Sequence, residues 1–346
     1  MKTKIIKINE NDFEPHSLNE AAEIIKNGGL VVFPTETVYG LGANALDCAA
    51  VRKIYAVKGR PPDNPLIVHL AEPREVYEYA QVPAAAEKIM EKFITAKNTS
   101  GAPLTIVLKK ANGKLDAACA NLETAAFRIP KNIIAKKLIE LAGVPVAAPS
   151  ANLSGKPSPT SAAHIIKDLN GRADMIICGG ECRIGLESTV ISFNSDNSLN
   201  ILRPGAVTRG DLTGFEVYGT SAADFDKPPS PGMKYTHYAP EAPLYILSGV
   251  EADIIAFVKS QHSKKTGFLC YDETLEYFKD CSRIKAVSFG RRDNLNEQAR
   301  ALFGALHSFN EFELDVIYSV EPDKIDMGEA LYDRLIKAAG GKIIKL

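Results

Sequence analysis

The sequence predicts an α/β protein in two parts: a twisted, mixed β-sheet with helices over it, followed by a smaller doubly wound parallel sheet. Three observations carry that expectation. Short apolar runs of strand length alternate with capped amphipathic stretches of helix length. The 346 residues suit two cores at roughly 150 residues per domain. From Leu244 onward the alternation becomes shorter and more regular, as in successive βα units. The expected boundaries are 1–215 for the first domain, 216–241 for a linker and 242–346 for the second domain.

In chain order, Ser17 to Glu20 fits a capping box ahead of Ala21, Ala22, Ile24 and Ile25 on one helical face, and Gly28 with Gly29 stops that helix. Apolar runs at 30–33, 66–70, 104–108, 125–129, 144–148, 175–178, 189–193 and 201–202 read as strands. The stretch 133–141 reads as an amphipathic helix ended by Gly143, and 161–169 as a helix with Thr160 as its N-cap. After Leu244 come LYIL, a helix over 251–260, GFLCY, a helical stretch, AVSFG, a long helix to Phe309, VIYSV and a final helix. No G-x-G-x-x-G follows the first of these strands, so no dinucleotide site is indicated and the second domain reads as regulatory or lid-supporting.

Composition narrows the classes. Lys plus Arg number 41 and Asp plus Glu 42, a net charge of −1, which argues against a general charge-driven affinity for nucleic acid. The six cysteines, at 48, 119, 178, 182, 270 and 281, form no C-x-x-C pair and have no matching histidine spacing. They read as free cytosolic thiols, not as a zinc site or a disulfide frame. No run of eighteen apolar residues occurs and the start MKTKIIKINEN is too polar for a signal-peptide core, so the expectation is a cytoplasmic protein with no membrane partner.

Three segments carry chemistry. In FPTETVYGLG (33–42), Pro34 ends an apolar run, Thr35, Glu36 and Thr37 supply hydroxyls and a carboxylate, and Gly40 and Gly42 read as glycines of a ligand-facing turn. An ordinary strand-to-loop exit is the alternative from these residues alone. In AVKGRPPDNPLIVH (56–69), Lys58 and Arg60 are held two apart beside Pro61, Pro62 and Pro65, and two like charges in a stiff turn call for an anion between them. His69 then falls at the end of a buried strand. In VPVAAPSANLSGKPSPT (144–160), Ser150, Asn152, Ser154 and Ser158 follow a buried strand and supply neutral donors suited to phosphate or ribose.

Taken together, these segments resemble the YrdC family of threonylcarbamoyl-adenylate synthases, which make the activated intermediate for the t6A modification of tRNA. PTETVYGLG, the K-x-R-P loop with NPL and His, and PSAN followed by S-G-x-P-S-P-T occur in that order, joined by TAAFRIP around Arg128, GLESTV around Ser188 and ILRPG around Arg203. SPGMKYTHYAP (230–240) resembles the linker of the long, two-domain form. One departure stands out: where the family usually has aromatic-Pro-Gly-Pro-Leu-Thr, this chain has Ser100, Gly101, Ala102, Pro103, Leu104 and Thr105, and it has no tryptophan.

The resemblance implies a YrdC-like twisted sheet with a small C-terminal Rossmann-like domain, and nucleotidyl transfer from ATP to carbamoylated L-threonine, with bicarbonate or CO2 as third substrate. It implies threonine contacts at Thr35, His69, Arg128, Ala148 and Ser188. It implies ATP contacts at Lys58, Arg60, Asn64, Thr124, Ser150, Asn152, Ser158 and Arg203, with Tyr235 arriving from the linker; Lys58 and Arg60 also act catalytically. Magnesium is expected to come with ATP, not on a protein metal site. The product would pass to a downstream t6A transferase complex acting on tRNA, with any direct RNA contact weak. Tyr235, His237 and Tyr238 give the linker rings able to cover the nucleotide. Two other readings are a non-catalytic YrdC-like RNA-binding maturation factor, disfavoured by the charge balance, and carbamoyl transfer in hydrogenase maturation, for which the chain lacks the length and the cysteines. Glu36 has no direction fixed by the sequence.

Overall fold

The computed structural model describes residues 2–95, 101–219, 237–261 and 263–346. Its first sheet is built from β1 (Lys4–Lys7), β2 (Val31–Phe33), β3 (Gly40–Asn44), β4 (Ile67–His69), β5 (Leu104–Lys109), β6 (Thr124–Arg128), β7 (Val146–Ala147), β8 (Met175–Cys178), β9 (Thr189–Phe193), β10 (Leu199–Arg203) and β11 (Val217–Gly219). Among the described residues these eleven strands run in the order β1-β8-β2-β3-β7-β4-β6-β5-β9-β10-β11. The sheet is mixed: β4 and β6 are parallel, β5 and β6 antiparallel, and β5 and β9 parallel.

Alternation along β2 sets the layers. Val31 and Phe33 face a core with Ala21, Ala22 and Ile25 of α1 (Asn19–Lys26), and with Ile134, Leu138 and Ile139 of a later helix (Ile133–Ala142). Val32 points the other way, to a core with Ala50, Val51 and Ile54 of α2 (Cys48–Lys58). This is the period-two rule of a strand covered on both sides. Three short or flanking helices follow α2 in the chain: α3 (Val76–Tyr79), α4 (Ala84–Ile89) and α5, the Ile133–Ala142 helix just named. In α5, Asn132 caps the N-terminus through Ala135 N–H at 3.0 Å, and Gly143, at φ +64°, closes the C-terminus.

The second sheet comprises β12 (Leu244–Ser248), β13 (Thr266–Cys270), β14 (Ile284–Ser288), β15 (Val316–Val320) and β16 (Ile343–Lys345), in the order β14-β13-β15-β12-β16 with every pairing parallel. Its helices follow α6 (Ala162–Leu169) of the first unit: α7 (Glu251–Ser260), α8 (Asp272–Leu275), α9 (Leu295–Phe309) and α10 (Met327–Ala338). Its core does not stop at the second unit, since Val38, Leu186 and Tyr238 join it.

Several expectations are corrected. The capping box at Ser17 to Glu20 is not formed; Pro15–Leu18 makes a 3₁₀ turn, α1 starts at Asn19 without a side-chain cap, and Glu20 pairs with Lys4 instead. Ser161, not Thr160, precedes α6, again with no side-chain cap bond. Gly40 and Gly42 are not turn residues but lie in β3, paired with Phe33 and Val31. Packing explains the choice of glycine there. A Cβ on Gly42 would come within 2.6 Å of Phe33 Cε1 and 2.9 Å of Val146 Cγ1, so neighbouring side chains occupy that space. Strands β1, β3, β11 and β16 and helices α2, α3 and α4 were not anticipated.

Replacing Gly42 with alanine should therefore destabilise the fold by about 1–3 kcal/mol through overpacking. Equilibrium denaturation checks this; a loss under about 0.5 kcal/mol would mean that β2 and β7 yield freely.

Candidate active site

A cleft opens where β2, β4, β6 and β7 end. The turn from Pro34 to Tyr39 joins β2 to β3, and Thr35 ties it: its hydroxyl accepts N–H bonds from Thr37 and Val38, each at 3.2 Å, and donates to Val38 O at 2.5 Å. Parallel pairing of β4 with β6 sets His69 beside Arg128, and β5 sets Thr105 opposite Arg128. Arg128 donates to Glu36 Oε1 and to Thr37 Oγ1, both at 2.7 Å, while its buried Nε has no partner among the described residues. Glu36 is thereby given a direction. Its second oxygen accepts from Lys131 N–H at 3.1 Å and Asn132 N–H at 3.3 Å, leaving no free carboxylate to act as a base.

Three further cations face the same cleft. Lys58 is the last residue of α2, fixed by Gly59 in the left-handed region, and its ammonium donates to the carbonyls of Ser150 and Asn152. Arg60 donates to Asn64 O at 3.2 Å and Pro65 O at 3.0 Å. Arg203, on β10, donates to Ser188 O through Nε at 3.1 Å and through its terminal nitrogen at 3.0 Å, and to Ser188 Oγ at 3.2 Å. Among the described residues none of the three has a carboxylate within ion-pair distance. From the donor inventory of each group, Lys58 retains one free N–H, Arg60 three and Arg203 two. Burial, with Arg60 adding to it, pushes the Lys58 ammonium well down, and burial brings Arg60 to about 10. Buried positive charge held this way asks for an anion.

Most sequence-assigned residues converge here. Thr35, Lys58, Arg60, His69, Arg128, Ala148, Ser150, Asn152 and Arg203 line the cleft. Ser188, Asn64 and Ser158 lie behind that lining. Ser188 Oγ is 2.7 Å from Thr105 Oγ1, Asn64 offers its carbonyl to Arg60, and the Ser158 hydroxyl donates to Glu187. Asn152 commits both its N–H groups to its own loop, donating to Leu153 O and Lys156 O, and accepts one bond from Ser150 Oγ. Thr124 is not brought to the cleft; it opens β6 at the far end from Arg128, roughly 13 Å along the strand at 3.3 Å per residue. Tyr235 lies outside the described residues.

Sequence reasoning missed a group that the fold brings in. Glu187 lines the cleft and is buried, accepting from Ser158 and paired with Arg334 of α10 at 2.9 Å. Its sign in the sequence was faint: one acid at the mouth of an apolar strand. Arg334 was legible in principle, since it falls within the buried stripe Ala330, Leu331, Leu335 and Ala338 of its helix. His237 and Tyr238 also line the cleft. His237 Nε2 is buried without a partner among the described residues, and Tyr238 sits at φ +67° with its ring 5.2 Å from Phe303. Among the described residues no group of three or more His, Cys, Asp or Glu is placed to hold a metal, and the six cysteines are free thiols.

Comparison with known proteins adds an independent line. Residues 23–205 match the Sua5/YciO/YrdC family model, described as Telomere recombination, and residues 206–340 match the model described as Threonylcarbamoyl-AMP synthase, C-terminal domain. The threonylcarbamoyl-AMP synthase of Bacillus subtilis (strain 168) is 42% identical over 94% of this chain and 94% of its own length. That of Pyrococcus abyssi is 40% identical over 99% of this chain and 100% of its own. The crystal structure of P. abyssi Sua5 complexed with L-threonine superposes with a TM-score of 0.87 at 39% identity, covering 99% of this chain and 100% of that one.

The histidines of the site give a pH signature. Burial depresses His69 to about 3, His237 to about 4 and His307, stacked on His164, to about 3. Each is neutral in the fold but takes a proton near 6.5 once unfolded. Stability is therefore complete above about pH 6.5 and is lost as pH falls toward the folded values, by up to about 1.4 kcal/mol per pH unit for a group as buried as His69. Melting temperatures measured from pH 7.5 to 5 should fall; a flat or rising trend contradicts the assignment.

Proposed function

The chain belongs to the threonylcarbamoyl-AMP synthase family over both of its parts, and from that premise we propose that it joins L-threonine, bicarbonate or CO2 and ATP into threonylcarbamoyl-AMP, releasing pyrophosphate. The observation that carries this reading is the cleft itself, where four buried cations converge and three of them lack a carboxylate partner among the described residues. A triphosphate and an amino-acid carboxylate supply the negative charge that such a cleft lacks.

The residues divide between two ends. Arg128, with its unpartnered Nε, receives the threonine carboxylate, and Thr35, His69 and Ala148 shape the pocket around the amino acid. The crystal structure of the P. abyssi relative with L-threonine supports threonine as the amino acid. His69, depressed and therefore neutral, adds no charge against the incoming amine. Lys58, Arg60 and Arg203 meet the nucleotide phosphates with the N–H groups that their carbonyl partners leave free. The threonine amine, as the free base, adds to CO2 and releases a proton to solvent to give a carbamate, whose oxygen attacks the α-phosphorus while the bond to pyrophosphate breaks. Positioning and charge neutralisation supply the catalysis, which suits a site whose carboxylates, Glu36 and Glu187, are both paired with arginines. Magnesium enters as part of the nucleotide substrate, carried on phosphate oxygens. The product is a mixed anhydride, and we assign its use to a transferase complex that forms t6A on tRNA.

Of the segment 230–240 read as covering the nucleotide, 230–236 lies outside the described residues, and His237 and Tyr238 stand at the cleft. The RNA-binding alternative gains no specific support, with net charge −1.

Pyrophosphate release from Mg·ATP should require both threonine and bicarbonate; equal release with serine, or with bicarbonate removed, rejects the reaction. Lys58→Ala and Arg60→Ala should each lower the rate by roughly a hundredfold, as removal of a transition-state charge contact does. Rates within twofold of the parent would reduce both cations to structural ties for their loops.

A further inference from the structure

Arg334 is the largest fully buried side chain among the described residues, and it comes from the second unit. From α10 it donates to Glu187 Oε2 and to Pro204 O, each at 2.9 Å, to Asp333 Oδ2 at 2.7 Å, and to Glu187 O at 3.3 Å. Four of its five N–H groups are thus committed, and Tyr238 lies over it at 5.9 Å. Glu187, which it holds, lines the nucleotide cleft and accepts a hydrogen bond from the Ser158 hydroxyl on its other oxygen. The residue after Glu187, Ser188, is in turn gripped by Arg203. One arginine of the second unit therefore stands behind two residues assigned to ATP.

We propose that Arg334 is a positioning residue for the nucleotide: it cancels the charge of Glu187 and fixes that residue, which ties down Ser158 behind the cleft wall and precedes the Ser188 carbonyl that holds Arg203 toward the phosphates, making the second unit part of the ATP site. The inference rests on the proposed adenylation reaction. A carboxylate facing a triphosphate is repulsive, and in a buried cleft that repulsion is weakly screened. With Arg334 in place, the pair is neutral and Lys58, Arg60 and Arg203 act on the phosphates undiminished. Threonine binding, centred on Arg128 and already balanced by Glu36, should feel little of this.

The test compares full-length Arg334→Met, Arg334→Lys, Glu187→Gln and the Glu187→Gln/Arg334→Met double variant by pyrophosphate release, varying Mg·ATP and threonine separately. The single Met variant should raise the KM for ATP by about tenfold or more, with the KM for threonine changed less than about threefold. The double variant, whose neutral amide can still accept from Ser158, should return the ATP KM to within about threefold of the parent, and the Lys variant should fall between. If the Met variant does not fold, as judged by circular dichroism, the double and Lys variants carry the same comparison. An ATP KM unmoved in the Met variant, equal rises for ATP and threonine, or a double variant no better than the single each overturn the proposal. A parent enzyme that fails to release pyrophosphate with threonine and bicarbonate would instead sink the adenylation reading, while ATP affinity measured by calorimetry would still report on the pair.

Discussion

Burying Lys58 is the constraint around which the first unit is arranged. An ammonium at 3% exposure is costly unless its donors are met, and the structure meets them with the carbonyls of Ser150 and Asn152. That demand shapes the loop after β7. Asn152 spends its side chain on Ser150, Leu153 and Lys156, and Ser154 N–H returns to Lys58 O at 2.8 Å, closing the loop on the end of α2. The prolines before β4 do the same for Arg60 by presenting the carbonyls of Asn64 and Pro65. Carbonyls stabilise a cation without neutralising it, so the charges stay available to a ligand. A carboxylate partner would have removed that availability.

The same logic accounts for how the two units join. Among the described residues Glu187 is the one acid lining the cleft with Lys58, Arg60 and Arg203, and burial alone would raise its carboxyl; Arg334 and Arg203 hold it below its ordinary value. Because that partner comes from α10, cancelling the charge also joins the units. Tyr238 packs on Phe303, His307 reaches Ser158 O at 3.3 Å, and Val38 and Leu186 enter the second core. A buried ion pair gives little net stability against an apolar replacement, but breaking one partner away is costly. Such a pair acts as a register mark more than as glue.

Legibility in the sequence followed the range of the physics involved. Short apolar runs and glycine stops are local, and they located most strands and the α5 helix with its Gly143 end. The site motifs were also readable: Lys58, Arg60 and His69 sit in a segment whose prolines are unusual for a plain element, whereas Arg128 and Arg203 came with the family resemblance. What failed was non-local. Gly42 looked like a turn because the side chains of Phe33 and Val146, which explain it, are adjacent only in the folded sheet. Ser17 and Thr160 had the composition of caps, but tertiary packing set the helix starts elsewhere. Glu36 had no direction until β6 brought Arg128 beside it, and Arg334 lay in a helix whose pattern revealed its burial but not its partner.

The chemistry that follows from this arrangement is narrow. With Glu36 and Glu187 both committed to arginines and with His69 and His237 pushed to about 3 and about 4, the described carboxylates and imidazoles of the cleft are not poised to exchange protons near neutral pH. General acid–base catalysis is therefore a poor match. A reaction whose nucleophile forms spontaneously, as a carbamate does from an amine and CO2, needs no base from the protein at the phosphoryl step. What it needs is two anions brought together against their mutual repulsion. In the proposed reaction, Arg128 at one end and Lys58, Arg60 and Arg203 at the other are the groups to provide the opposing charge, and the fold holds them in place through their own hydrogen bonds, so little reorganisation is left for the moment of reaction.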